Sequence, residues 1–199
     1  MPSTPSRSLL KDLRKLKVAI IHPPDADGDE LVAQLARIGC MVQVFWPEAQ
    51  VLPPECGLVL LAVRPETLSI TYSWIGTTDA PPIIPVITFE NPVTLEAVLQ
   101  LGAFATIASP VRAFGLLTAI AVTLSQSRAM RLREKYIDRL EKKSADQRVI
   151  HKAILILMET RSVSEEQAYQ LLRSQAMSRR EHIEVIAGQI LRAQAVLSF

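Results

Sequence analysis

The stretch RVIHKAILILMETRSVSEEQAYQLLRSQAMSRREHIEVIAGQIL, residues 148–191, decides the fold of the C-terminal part of the chain. In three successive runs, its apolar residues recur three and four positions apart, as on one face of an α-helix. Capping boxes precede two of the runs, one at Ser164 and Gln167 and one at Ser178 and Glu181. Each run is too short to be stable alone in water, so the sequence predicts a small three-helix bundle. The predicted apolar faces consist of Ile150, Ala153, Ile154, Leu157, Met158, Ala168, Leu171, Leu172, Ile183, Ile186, Ala187, Ile190 and Leu191.

Basic side chains occupy the polar faces of these predicted helices. They are Arg148, Lys152, Arg173, Arg179 and Arg180. A compact basic helical domain is typical of proteins that bind an anionic partner. The alternative is a solvated helical surface that happens to be basic.

Charge is unevenly distributed along the chain. Residues 1–125 contain 8 Lys or Arg and 11 Asp or Glu, whereas residues 126–199 contain 14 and 9. A mildly acidic N-terminal part joined to a basic C-terminal part indicates a regulatory or partner-binding domain attached to a nucleic-acid-binding domain.

The length of 199 residues allows one ordinary domain and a smaller one. Charges or prolines interrupt every apolar stretch before it reaches the length of a membrane span. The N-terminus lacks the apolar core and the cleavage site of a secretory signal. Cys40 and Cys56 are therefore expected to be reduced, buried thiols, and the protein is expected in the cytoplasm.

Short apolar runs alternate with amphipathic stretches before residue 125. They predict strands at 18–21, 41–45, 58–63, 83–88 and 105–108, and helices at 29–38, 92–101 and from 112 onward. Continuous apolar strands separated by helices indicate a doubly wound α/β domain, with a parallel sheet covered on both faces. Residues 64–80 fit either a helix or an irregular loop, and a short amphipathic helix is expected at 9–16.

This order of elements resembles the flavodoxin-like receiver domain of two-component response regulators. The resemblance is strongest at GAFA, residues 102–105, and at SPV, residues 109–111, where receivers have a Gly-Ala turn, a strand and a Lys-Pro pair. It implies a pseudo-receiver domain over residues 18–125, preceded by a leader of residues 1–17.

The residues that receivers use for phosphorylation are missing at the matching positions. His22 stands where receivers have paired acidic residues for magnesium, and LLAV at 60–63 lacks the phospho-accepting aspartate. Glu90 stands in place of a hydroxyl residue, and Ser109 in place of a lysine. Phosphoryl transfer needs a cation and a nucleophile, so neither phosphorylation nor a metal site is expected. A solvated loop is expected at the three aspartates that follow the first strand, Asp25, Asp27 and Asp29.

Residues 126–147 lack Gly and Pro and are densely charged, as on an exposed helix. Met130, Ile137 and Leu140 fall on one seam at spacings of seven and three, which predicts a two-stranded coiled coil and hence a homodimer. A long helix is expected to run through this seam into the terminal bundle. The alternative is a solvated single helix that joins two domains.

The terminal stretch resembles the ANTAR domain, the RNA-binding module of bacterial transcription antiterminators. The matching residues are Ala153, Leu157-Met158, Ser164-Glu165, Ala168-Tyr169, Leu171-Leu172-Arg173, Ala176-Met177, Ile186-Ala187 and Ile190-Leu191. The resemblance implies an ANTAR domain over residues 148–199, whose basic side chains contact RNA. The family usually has a lysine after the alanine at position 153, where this chain has Ile154, so Lys152 or Arg148 is expected to supply that charge.

The resemblance also gives each candidate RNA contact a role. Arg148, Lys152, Arg173, Arg179 and Arg180 would contact phosphates or bases, and Tyr169 would stack on an unpaired loop base. The alternatives are that Arg173 only holds a helix end and that Tyr169 is half-buried packing.

The whole chain further resembles the antiterminators that control amidase operons. The shared stretches lie at 13–16, 23–24, 31–40, 46–47 and 176–181. The resemblance implies a dimer that binds two hairpins of a leader mRNA and so prevents formation of the terminator hairpin. It also implies a ligand-sensing partner of periplasmic-binding-protein fold, which silences the regulator until a small amide releases it.

Two other classes of function remain open at the level of sequence. A DNA-binding response regulator would need a recognition helix with basic residues at its start, and Arg179 and Arg180 could serve. In a protein-interaction adaptor, the basic bundle would bind no nucleic acid. An enzyme is not expected, because the sequence has no nucleophile–base pair, glycine-rich phosphate loop or metal cluster, and no cofactor is implied.

Overall fold

The computed structural model describes residues 13–67 and 70–197, with side chains as far as residue 195. The chain divides into two compact units between Met130 and Arg131. Half of the helix predicted at 9–16 lies outside the described residues; of the rest, Leu13 is fully buried and only this residue is helical.

A five-stranded parallel sheet forms the first unit. Its strands are β1 (Lys17–Ile21), β2 (Met41–Phe45), β3 (Leu58–Val63), β4 (Ile83–Ile87) and β5 (Ile107–Ala108). They lie in the order β2-β1-β3-β4-β5, which is the flavodoxin-like order. The predicted doubly wound fold and its five strands are therefore confirmed, with β4 one residue shorter and β5 two residues shorter than expected.

Two helices cover one face of the sheet. Side chains alternate between faces along a strand, so Val18 and Ile20 of β1 face this side. They pack in one core cluster with Leu31 of α1 (Ala26–Ile38) and with Ile120 of α3 (Ala113–Arg161). Every one of these four side chains is at least 98% buried, which fixes the start of α3 on the sheet.

Irregular segments cover the other face together with the helix Pro92–Gln100, after which Leu101 is partly buried in the core cluster of that face. Ala19 and Ile21 of β1 pack there with Tyr72, around which Trp74 and Ile75 are partly buried. The indole N–H of Trp74 donates to the carbonyl of Ala49 at 2.8 Å and so joins the two covering segments. Residues 64–67 and 70–82 therefore form turns and not a helix, as expected where Gly and consecutive prolines interrupt an apolar stretch.

Local capping explains where the first two helices begin and end. Asp25 accepts a hydrogen bond from the N–H of Gly28, so α1 begins three residues earlier than its periodicity suggests. It ends at Gly39, whose φ of 95° is left-handed. Asn91 caps α2 (Pro92–Gln100) in the same way, by accepting from the N–H of Thr94 at 2.8 Å.

The long helix α3 breaks once near its start. Phe114 and Gly115 have non-helical backbone angles, and from Leu116 the helix runs without a described interruption to Arg161. The expectation of one helix through residues 126–147 into the terminal bundle is therefore confirmed. α4 (Glu165–Arg179) and α5 (Ile183–Leu197) complete the second unit.

Alanines form the centre of the second unit. Ala153 of α3, Ala168 and Ala176 of α4, and Ala187 of α5 lie in one buried cluster with Leu172. Small side chains let helix axes approach closely, because the distance between packed helices depends on the residues at the contact. The three-helix bundle predicted from the sequence is confirmed, and so is the capping box at Ser164 and Gln167. Leu171 is an exception, because it is 37% exposed and lies outside the buried cluster.

Both cysteines are free thiols, as expected, although only Cys40 is buried and Cys56 is half-buried. Burial raises the pKa of each thiol above its ordinary value. Within the part of the chain that the structure describes, no helix combines the length and the apolar character needed to cross a membrane.

Two glycines provide a matched test of the packing. A Cβ at Gly28 would lie 2.6 Å from the carbonyl oxygen of Pro23, whereas a Cβ at Gly188, inside α5, would meet nothing within 4 Å. We expect Gly28→Ala to lower the free energy of unfolding by about 1–3 kcal/mol. Gly188→Ala should raise it by about 0.5–1 kcal/mol, because alanine favours the helix. Urea denaturation of both variants measures these changes. An unchanged free energy of unfolding in Gly28→Ala would contradict the close contact between position 28 and the carbonyl oxygen of Pro23.

Candidate functional site

The last turns of α3 present two basic residues to solvent. Arg148 and Lys152 lie four positions apart, on the same face of the helix, and both are exposed. Ala153 and Ile154 lie on the opposite side, in the core of the bundle. Leu155 continues the outer face and is 45% exposed.

An exposed row on α4 combines an aromatic ring with a cation. Tyr169, Arg173 and Met177 follow one another at intervals of four residues, beside the buried row of Ala168, Leu172 and Ala176. Tyr169 is 41% exposed and Met177 is 66% exposed. The ring of Tyr169 is therefore half accessible, as both packing and base stacking would require, and Arg173 is accessible beside it.

Arg179 and Arg180 lie at the end of α4 and not at the start of the last helix. Arg179 is the final residue of α4, and Arg180 has left-handed backbone angles, φ 54° and ψ 38°. The N–H of Arg180 donates to the carbonyl of Met177 and that of Glu181 to the carbonyl of Ala176, which is a Schellman motif. The second predicted capping box is therefore wrong, because Ser178 lies inside α4 and its hydroxyl donates to the carbonyl of Gln175. A Ser-x-x-Glu pattern fits a helix end as well as a helix start.

The left-handed conformation is unfavourable for arginine. Glycine or asparagine is the usual residue at such a helix end, and a side chain with a Cβ costs about 1–2 kcal/mol there. The arginine at position 180 therefore reduces stability where a glycine would not.

A hydrogen-bonded bridge joins this turn to α5. The guanidinium of Arg179 donates through Nη1 to Oε1 of Gln189 at 3.0 Å. The amide of Gln189 donates through Nε2 to Oε2 of Glu181 at 3.3 Å. Gln189 was not identified from the sequence, because its partner lies ten positions away on another helix and no local pattern marks the pair.

The other candidate cations are not neutralised by neighbours. Among residues 13–67 and 70–195, no acidic side chain lies within ion-pair distance of Arg148, Lys152, Arg173 or Arg180. The two exposed histidines, His151 and His182, belong to no group of three possible metal ligands in the described part. The accessible surface thus offers several positive charges and no counter-charge bound to them.

The start of the last helix does not support a DNA recognition helix. α5 begins at Ile183, and its first turn contains Glu184 and no basic residue. A carboxylate at that position would repel DNA phosphates.

The residues of the predicted dimer seam are exposed on α3. Met130 is 52%, Ile137 52% and Leu140 48% exposed. Leu132, away from that seam, and Tyr136, which flanks it one turn before Leu140, are also exposed. The half-exposed seam residues are available for a second helix, and pairing itself stays a prediction.

In the first unit, two aspartates that follow β1 bind other residues of the same unit. One oxygen of Asp25 accepts from the Gly28 N–H and lies 3.3 Å from Nδ1 of His22, which is 99% buried. The other oxygen accepts from the guanidinium of Arg64 at 2.6 Å. Arg64 directly follows β3, beside the position where receivers carry their phospho-accepting aspartate.

Both carboxylate oxygens of Asp27 also have partners within the first unit. One of its oxygens accepts from the N–H of Val111 at 2.7 Å, and the other accepts from the hydroxyl of Ser109. The expectation of a solvated loop is therefore wrong for Asp25 and Asp27, whose partners lie up to 84 residues away. Thr88 directly follows β4, so the hydroxyl residue expected there is present and Glu90 does not replace it.

The ion pair between Asp25 and Arg64 depends on pH. Desolvation by partial burial raises the pKa of Asp25, but the Gly28 N–H, His22 and Arg64 outweigh it and lower the pKa below its ordinary value. A carboxylate with a lowered pKa contributes stability at neutral pH, and this contribution is lost as the pH falls through the lowered pKa.

Comparison with known proteins adds to this geometry. The sequence model of the family described as "AmiR, N-terminal" matches residues 16–124, and that of the ANTAR domain matches residues 138–191. The aliphatic amidase regulator of Pseudomonas aeruginosa is 29% identical over 188 residues, which cover 94% of this chain and 96% of the relative. The solved structure of the response regulator StyR is 17% identical, with a TM-score of 0.51 over 90% of this chain and 99% of that one. The likeness to StyR concerns the fold alone.

Proposed function

Because this chain belongs to the family defined by the AmiR N-terminal domain, and an ANTAR domain follows that domain, we propose that it is an RNA-binding regulator of transcription antitermination. The observation that carries the proposal is that all six candidate contacts lie within the ANTAR match and are exposed. None of the five cations has an acidic partner among the described residues, although Arg179 donates to the neutral amide of Gln189.

Chemistry favours a folded RNA as the ligand. Arg148, Lys152, Arg173 and Arg180 supply charge for phosphates, and Tyr169 supplies a ring on which an unpaired loop base can stack. Hairpins of a leader transcript offer both features. A protein that holds such hairpins prevents the competing terminator hairpin from forming, and the polymerase then reads through.

Two copies of the chain act together in this proposal. The coiled coil predicted at residues 126–147 joins them through Met130, Ile137 and Leu140. A pair of ANTAR domains, at residues 148–199, then binds two hairpins at once. Linking two binding domains raises the effective concentration of the second, so a dimer binds a two-hairpin leader more tightly than a monomer does.

Control is proposed to come from a protein partner and not from phosphorylation. Each oxygen of Asp25 and Asp27 already has a donor or ion-pair partner inside the pseudo-receiver domain at 18–125, so a magnesium ion would have to compete with these partners. By analogy with the aliphatic amidase regulator, we propose that a ligand-sensing protein of periplasmic-binding-protein fold keeps the regulator silent until a small amide binds.

Arg173 and Arg192 provide a matched test of RNA binding. Both are exposed, but Arg192 lies on α5, outside the candidate set, and its Nε donates to the carbonyl of Gly188. We expect Arg173→Ala to weaken binding to a two-hairpin leader RNA by about tenfold, because one charge-assisted contact is worth about 1.5 kcal/mol. Arg192→Ala should bind like the wild type.

Filter-binding titrations and single-round transcription through the terminator measure the two effects. The RNA is the leader of the operon that contains the gene for this chain. Equal losses in both variants would mean that binding is non-specific charge attraction, and no loss in Arg173→Ala would remove this residue from the interface. Unchanged readthrough in a variant that no longer binds RNA would favour the adaptor alternative.

A second pair of variants tests the dimer. We expect Ile137→Glu combined with Leu140→Glu to yield monomers, because like charges would face each other across the seam. Leu132→Glu, which introduces a glutamate at an exposed position off the seam, should remain a dimer. Sedimentation equilibrium distinguishes the two. A monomeric wild type, or a double variant that stays dimeric, would rule out this seam.

A further inference from the structure

The turn between α4 and α5 contains two arginines in different surroundings. Arg179 is engaged by the amide of Gln189, which in turn donates to Glu181, at 3.0 and 3.3 Å. Arg180 has no such partner among the described residues and occupies a left-handed backbone conformation that favours glycine.

We propose that Gln189 and Arg179 are positioning residues for RNA binding, and that Arg180 is the contact they position. The proposal rests on the proposed function. The amide of Gln189 is suited to this role, because its oxygen accepts from a cation and its nitrogen donates to a carboxylate. It thereby joins both residues that flank Arg180 and fixes the turn.

The hydrogen bond from Gln189 also holds the negatively charged carboxylate of Glu181. Glu181 directly follows Arg180 and would repel a phosphate brought to that arginine. Its hydrogen bond from Gln189, and through Gln189 its connection to Arg179, ties its carboxylate to α5. Gln189 thus links two side chains of opposite charge, whereas Arg180 has no side-chain partner among the described residues.

Strain at Arg180 supports the same assignment. A backbone conformation that disfavours the residue is retained where the surrounding structure holds it and where the side chain is needed. The Schellman hydrogen bonds of Arg180 and Glu181 hold the backbone here. A glycine would satisfy the backbone alone, so the presence of arginine indicates a use for its side chain.

Salt dependence distinguishes contact from positioning. Each phosphate contact that is lost reduces the slope of log K against log salt by about 0.7–0.9. Arg180→Gly keeps the turn, because glycine accepts the left-handed conformation. We expect this variant to bind the leader RNA about tenfold more weakly, with the slope reduced by about one contact, and to melt at the same or a higher temperature.

Arg179→Ala and Gln189→Ala test the bridge. Each should weaken binding by about three- to tenfold, and the double variant should be no weaker than either one, because both remove the same interaction. Arg179→Ala removes a charge and Gln189→Ala does not. Even so, the slope of log K against log salt should be the same in both variants, because neither residue contacts a phosphate in this proposal. Gln175→Ala, an exposed glutamine on α4 outside this bridge, is the control and should bind like the wild type.

The outcomes separate this inference from the proposed function. If wild-type protein binds the leader RNA, but Gln189→Ala also binds normally and Arg179→Ala alone lowers the salt slope, Arg179 is a direct contact and the inference is wrong. If Arg180→Gly binds like the wild type, Arg180 is not the contact. If the wild type itself fails to bind the RNA at low salt, the proposed function falls and the inference with it.

Discussion

The close packing of alanines in the second unit determines what its surface can offer. Ala153, Ala168, Ala176 and Ala187 are at least 94% buried at the centre of three helices. A centre built from such small residues has no room for the stem of an arginine or a lysine. The candidate cations of these helices therefore point outward, and the exposed positive charge follows from the packing itself.

In the first unit, internal contacts bind charged side chains, whereas packing in the second unit leaves them exposed. The carboxylate of Asp25, at the start of α1, forms an ion pair with Arg64, which follows β3. The carboxylate of Asp27 accepts a hydrogen bond from the N–H of Val111, in the segment before α3. A receiver needs such carboxylates free to bind magnesium. This chain uses them as structural links, and our proposal is therefore that the receiver-like fold acts as a scaffold and not as a phosphorylation switch.

Much of this architecture could be predicted from sequence, because periodicity and capping are local. The strands β2 and β3, the end of α1 at Gly39, and the capping box of α4 have the predicted positions. Links between distant residues could not be found in this way. Arg64 and Asp25 are 39 positions apart, and Val111 and Asp27 are 84 apart, so no spacing rule joins them. The turn at Arg180 was misassigned because its pattern fits either end of a helix.

The central claim is that a small-residue core displays cations that recognise folded RNA. The most direct measurement compares the affinity of the full-length protein for the two-hairpin leader RNA with that for duplex DNA of equal phosphate number, over a series of salt concentrations. Our account predicts tighter binding to the RNA at every salt concentration, with a slope that reflects several phosphate contacts. Equal or tighter binding to the duplex, or no binding to the RNA at low salt, would contradict it.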